Sequence, residues 1–147
     1  MRLIDEISRA ADELEAMDLI VSYFKADSGT IYWLGADGLL HLAAATDGFP
    51  EAVLSVIRTI PIGKGMAGLA VERRQPVDAC NIQSDTSGDV RPGARATAMA
   101  GAIVVPVFRE DEVIGALGVA NRAERTFTEE EVAELLAAGR ALAAKPK

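Results

Sequence analysis

Apolar residues recur over the first two dozen positions in alternating steps of four and three: Leu3, Ile7, Ala10, Leu14, Met17, Val21 and Phe24. That seam predicts one amphipathic helix over residues 1–25. Asp5, Glu6, Arg9, Asp12, Glu13 and Glu15 fill its polar faces, and Ile4, Ala11 and Ile20 widen the apolar one. Such a helix can cover a sheet of its own chain and still present a seam to a second copy. A homodimer through this helix, together with the C-terminal one, is the expectation. Asp27-Ser28-Gly29 ends the helix.

The pattern then changes to strand-like runs. "TIYWL" and "LLHLAAAT" flank Gly35-Ala36-Asp37-Gly38, a hairpin signal in which Asp-Gly supplies the turn. "EAVLSVIR" reads as a short helix, "TIPI" as a short extended piece, Met66 to Arg74 as helical and "PVDAC" as another strand. A second hairpin follows, with "AIVVPVF" and "VIGALGVAN" around Arg109-Glu110-Asp111-Glu112. Pro106 cannot donate to a sheet ladder and marks an edge or a bulge. The closing helix, 128–144, carries a capping box, Thr128 with Glu131, and Phe127 and Val132 are spaced for a hydrophobic staple.

Between these elements, Asn81 to Gly101 is rich in Ser, Asp, Gly, Arg and Thr. A polar segment of that length inside a compact domain is usually functional or mobile. Arg91 and Arg95 flank Pro92-Gly93-Ala94, with Asn81, Ser84, Asp85 and Thr97 near them in sequence. Guanidinium groups suit carboxylates and phosphates. The expected site is therefore Arg91, Arg95, Asn81, Asp85 and Thr97, around a small anionic ligand. The competing expectation is that both arginines are solvated and the loop only covers the sheet.

Composition narrows the classes. The 147 residues suit one domain, half of them apolar and a quarter charged. A net charge of -7 argues against a general affinity for nucleic acid or anionic lipid. The longest nearly apolar run, Ala98 to Phe108, is too short to span a bilayer. Asp5 and Glu6 do not suit a signal peptide, so a cytoplasmic location is expected. A single cysteine, Cys80, and a single histidine, His41, exclude an internal disulfide and a multi-histidine metal site. No cofactor or metal is expected.

The stretch "IPIGKGMAGLAVERRQP" holds Gly63-x-Gly65-x-x-Gly68, the glycine spacing of a dinucleotide loop. That motif needs a central parallel strand before it and a full crossover helix after it. Pro61 interrupts the preceding strand, and too few residues separate Gly65 from Pro76 for a crossover. The neighbouring strands come as hairpins, which implies an antiparallel sheet. NAD binding is rejected; the glycines are expected to form a tight bend into a short helix packed close to the sheet.

Three stretches in order, "IPIGKGMAGLAVERRQPV", "AIVVPVFREDEVIGALGVAN" and "FTEEEVAELLAAGRALA", resemble the GAF domain family over essentially the whole chain. The resemblance implies a single α+β domain, 1–147, with a central antiparallel sheet of about six strands. It implies the terminal helices on one face, and a small-molecule pocket on the other beneath short helices and the polar segment. Relatives include cyclic-nucleotide binders, bilin and haem carriers, metabolite sensors, dimerisation modules and a few enzymes.

The residues discriminate among these. Asn121-Arg122, Phe127 and Glu131 match part of a cyclic-nucleotide motif, but Val132 stands where it has a second acid. The capping box already explains Phe127 and Glu131, and an Arg122–Glu131 ion pair is expected as a surface clasp. The free methionine sulfoxide reductases of the family resolve their thiol chemistry with a second cysteine, which this chain lacks. Cys80 followed by Asn81 does not match a bilin site, and His41 reads as an edge or surface histidine rather than a haem ligand. The leading expectation is a non-catalytic sensory or regulatory module that binds a small molecule and signals through dimerisation or a separate effector. The alternatives are a structural dimerisation module without ligand and, in the minority, an enzyme. The chain ends at Lys147 without an effector domain, so it either acts with a separate partner or is a fragment.

Overall fold

The computed structural model describes residues 2–46, 49, 51–79, 81 and 99–145. The element order is α1 (Arg2–Arg9), α2 (Glu13–Phe24), β1 (Ser28–Leu34), β2 (Leu39–Ala45), α3 (Glu51–Ile57), β3 (Thr59–Pro61), α4 (Gly65–Arg73), β4 (Val77–Ala79), β5 (Gly101–Arg109), β6 (Glu112–Asn121) and α5 (Glu129–Ala144). The six strands form one antiparallel sheet in the order β3-β2-β1-β6-β5-β4. The α+β architecture expected from the sequence is thus observed, and among the described residues the sheet contains no parallel pair of the kind a dinucleotide fold would require.

The expected single N-terminal helix is two helices. The break falls at Ala10–Asp12. Asp12 adopts an extended conformation (φ -153°) and its side chain accepts from the Glu15 amide at 2.8 Å. The Glu15 carboxylate in turn accepts from the Ala11 amide. These bonds start a new helix and satisfy donors that a continuous helix would have used differently. Lys145 Nζ donates to the Ser8 and Ala10 carbonyls at 3.1 and 2.8 Å and closes the end of α1.

The heptad seam is mostly spent inside the chain. Leu3, Ile7, Ala10, Met17 and Phe24 are buried in one core with Leu135, Ala138 and Leu142 of α5 and with Ile31, Ile103, Val105, Val107, Leu117 and Val119 of the sheet. Leu14 alone among the seam positions is strongly exposed, at 45%. Trp33 Nε1 donates to the Glu13 carboxylate at 2.8 Å, and the Tyr23 hydroxyl donates to Glu134, so α2 is tied to both β1 and α5.

At the other end, the Thr128 and Glu131 capping box is present in both directions. The expected Arg122–Glu131 clasp is not formed. Arg125 takes that place: it pairs with Glu131, bonds the Asn121 side chain at 2.8 Å and stacks over the Phe127 ring at 4.3 Å. Arg122 instead offers its backbone N–H to Asp27 at 2.7 Å. The turn between β6 and α5 brings position 125, not 122, alongside the helix start.

Pro106 behaves as its missing N–H requires. β4 pairs with β5 only as far as Val104, so beyond it β5 has no second neighbour among the described residues, and Pro106 sits there with a bulge at Val107/Phe108.

Candidate functional site

The pleat makes the two faces of the sheet chemically unlike. On the helix-covered face, Ile31, Leu117 and Val105 form one row across β1, β6 and β5, all fully buried. One residue along, on the opposite face, the rows read Ser28, Ala120, Ala102 and Thr30, Gly118, Val104 and Tyr32, Ala116, Pro106. Alternate positions point to opposite faces, so β6 turns Leu117 and Val119 to the core and Ala116, Gly118 and Ala120 to the other side. A floor of small residues results.

α3, β3 and α4 stand over that floor without filling it. A cavity of about 150 Å³ remains between them. Thr30, Gly118, Ala102 and Ala120 form its floor; Val56 and Ile57 of α3, Ile60, Phe49 and Met99 form its walls; Gly65, Met66 and Ala67 bring the first turn of α4 to it. Val56 is 50% exposed, an apolar side chain left open at the edge of an apolar hollow. The wall is pinned where the Tyr32 hydroxyl donates to the Ile57 carbonyl at 2.7 Å.

The glycine motif supports this arrangement. Gly63 and Gly65 adopt positive φ (87° and 64°), which L side chains rarely tolerate, and they turn β3 into α4. A Cβ at Gly68 would collide with the Pro61 carbonyl oxygen, so that glycine lets the helix lie against the strand. The expected structural role of the glycines is observed.

Polar groups at the cavity are few. Ser28 is 5% exposed and lies on the cavity face of β1; among the described residues no buried side-chain nitrogen or oxygen is left unsatisfied. Thr30 lies two residues along on the same face. The N-cap of α4 is Lys64, whose side chain provides no cap, so the first-turn amides receive no side-chain acceptor from it. Apart from the Tyr32 phenol, none of the described lining residues is ionisable.

The pocket was expected on this face, beneath the short helices and the polar segment, but most of the residues expected to form it are not described. Arg91, Arg95, Asp85 and Thr97, like Ser84 and Cys80, fall outside the described residues. Asn81 is described; its amide donates to Glu124 at 2.8 Å, and it is not part of the cavity lining. His41 is at the surface, 2.9 Å from Asp37, whose carboxyl is held below its ordinary range first by the Leu39 amide and then by His41. Among the described residues no group of three or more His, Cys, Asp or Glu could hold a metal ion. No described helix is long and apolar enough to cross a membrane. Ser28 and Thr30 were missed. The signal for them was the alternation in "VIGALGVAN", where every second residue is Ala or Gly opposite β1.

Comparison with known proteins returns one family model, that of the GAF domain, over residues 3–144. Among solved structures, the GAF domain of a phosphoenolpyruvate-protein phosphotransferase from Coxiella burnetii superposes with a TM-score of 0.78 at 22% identity, covering 98% of this chain and 88% of that one. The corresponding domain from Acinetobacter gives 0.75 at 21%, covering 96% and 86%. The free methionine-R-sulfoxide reductase of Neisseria meningitidis, in complex with its substrate, gives 0.77 at 18%, covering 96% and 81%. At these identities the likeness is one of fold. No curated protein gives a match.

Proposed function

The chain belongs to the GAF domain family, and from that premise we propose that it is a non-catalytic sensory or regulatory module whose ligand occupies the cavity over β1, β6 and β5. The observation that carries the reading is the apolar cavity left open over a floor of small residues. Evenly packed interiors leave few voids. A bound molecule accounts for this one. The sheet is shared between the cavity and the α1, α2 and α5 layer, so occupancy can be passed to a second copy or a separate protein through those helices. The exposed Leu14 on α2 is the contact point proposed for self-association.

A catalytic reading is disfavoured by the residue inventory. The reductases that share the fold raise the question, but one cysteine leaves no resolving thiol within the chain.

Native mass spectrometry of protein purified from cells tests the proposal. The expected result is a retained small molecule in the wild type and its loss in Ala120→Leu, which fills the floor and leaves the helix-side core unchanged. Retention of the same mass by a folded Ala120→Leu would place the ligand elsewhere.

A further inference from the structure

The solvent face of α5 carries opposite charges at its two ends. Glu130, Ala133, Ala137, Arg140 and Ala144 recur in steps of three and four, so they share one stripe of the helix. Ala137 is half-buried and the other four are exposed. The opposite stripe, with Leu135, Ala138 and Leu142, is spent on the core.

Most charges on and beside α5 are already answered within the chain. Glu131 pairs with Arg125, Glu134 accepts from the Tyr23 hydroxyl, and Lys145 closes the end of α1. The charges at the ends of the outer stripe are different. Among the described residues, Glu129, Glu130 and Arg140 form no ion pair. Arg140 is nevertheless held in place: it donates to the Glu110 carbonyl at 3.1 Å and lies 5.2 Å from the centre of the Phe108 ring. A guanidinium has several N–H groups, so most of its fork is still to give. Its fixed position lowers the side-chain entropy that an intermolecular ion pair would lose.

The spacing is self-complementary. Glu130 and Arg140 are about 15 Å apart along the helix axis, and Ala133 and Ala137 straddle the midpoint. A two-fold axis through that midpoint sets Ala133 against Ala137 of a second copy and Glu130 against Arg140 of that copy, twice over. Glu129, exposed on the same turn, keeps an acid opposite Arg140 if the register shifts by one residue. A parallel arrangement would instead set acid against acid and arginine against arginine. Each chain has a net charge of -7, so overall electrostatics oppose association and local complementarity has to select the contact. Exposed ion pairs add little affinity, and their effect here is to choose the direction of the helices.

Resting on the self-association proposed for this chain, we infer that two copies pair through α5, antiparallel about a two-fold axis, with Glu129 and Glu130 of each against Arg140 of the other. The contact is small, one helix against one helix, so the dimer is a weak one that forms in the micromolar range.

Sedimentation equilibrium of the full chain tests this with two charge reversals, Arg140→Glu and the double variant Glu129→Arg, Glu130→Arg. The two change the overall charge in opposite directions. Each is expected to weaken self-association about tenfold or more, because every reversal acts twice in a symmetric dimer and turns attraction into repulsion. An equimolar mixture of the two is expected to recover the wild-type dissociation constant within about threefold, since each then meets its complement. Circular dichroism confirms that both variants fold. Direction is read by crosslinking in a Cys80→Ser background: Ala133→Cys mixed with Ala137→Cys is expected to crosslink with a short bismaleimide, and neither alone. Crosslinking of each variant with itself, and not in the mixture, would overturn the antiparallel pairing. Arg140→Glu that associates like the wild type, while Leu14→Glu dissociates, would overturn the role of α5 and leave the self-association reading in place. A wild type that is monomeric at high micromolar concentration would overturn that reading, and this pairing with it.

Discussion

The hydroxyl of Tyr32, in the middle of the sheet, donates to the carbonyl of Ile57 at the end of α3, at 2.7 Å. This hydrogen bond ties the wall of the cavity to its floor. Tyr32→Phe should cost about 1 kcal/mol of stability, the usual net value of one such bond. Hydrogen exchange should rise at Val53 to Arg58 and stay unchanged in α5. Uniform exchange across the chain would mean that the bond does not hold α3 locally.

Gly68 tests the close approach of α4 to β3. Adding a Cβ there forces the helix away from the Pro61 carbonyl. Gly68→Ala should destabilise by about 1–3 kcal/mol despite its better helix propensity, as overpacking does. Chemical denaturation measures it, and a stabilised Gly68→Ala would disprove the contact.

The start of α5 predicts a pH dependence. The Glu131 carboxyl is held below its ordinary range, first by the Thr128 amide and then by Arg125. The unfolded chain therefore takes up this proton at the higher pH. The stabilisation is complete above the ordinary carboxylate value of about 4.3 and is lost as pH falls through the lower, folded value. Glu131→Gln should lose less stability than the wild type between pH 5 and pH 3. Parallel curves would show that the charge on Glu131 contributes nothing. Thr128→Ala should cost about 1 kcal/mol at neutral pH by removing the cap.

Leu14 and Met17 separate the two uses of the N-terminal seam. Met17 is fully buried and Leu14 is 45% exposed. Met17→Glu should abolish the native fold, whereas Leu14→Glu should leave stability within about 0.5 kcal/mol, as surface changes do. Under the proposed self-association, light scattering of Leu14→Glu should show a smaller species than the wild type at high micromolar concentration. The same mass for both proteins would remove α2 from the interface.

Local chemistry explains which parts of this were legible in the sequence. The strands, the β5–β6 hairpin and the α5 cap follow from period-two patterns and a Thr-x-x-Glu signal that act over a few residues. The same reasoning over-read the N-terminus. Leu3 to Phe24 keeps its heptad spacing through a helix break, because both helices pack on one core. The competing signal, Asp12-x-x-Glu15, was of the kind recognised at Thr128. The cavity was harder to see. Its floor exists only where Ser28, Thr30, Gly118, Ala102 and Ala120 meet across three strands, and no short stretch contains them all. Polarity drew attention to Arg91 and Arg95, whereas Ser28 had been read merely as part of a helix breaker.

The margins of the sheet bear on how any partner can attach. β3 and β4, the outermost strands, each span three residues. Pro61 lies on the first, and Pro106 lies where β5 extends past the second, so each margin lacks one amide hydrogen that a joining chain would seek. Among the described residues, a foreign strand laid along either side finds too few consecutive rungs to register on. Lateral growth of the sheet into fibres or strand-swapped assemblies is discouraged by the same geometry. Under the proposed regulatory role, recruitment of another molecule would then fall to side chains on the helical layer, where recognition depends on shape and can change when that layer shifts.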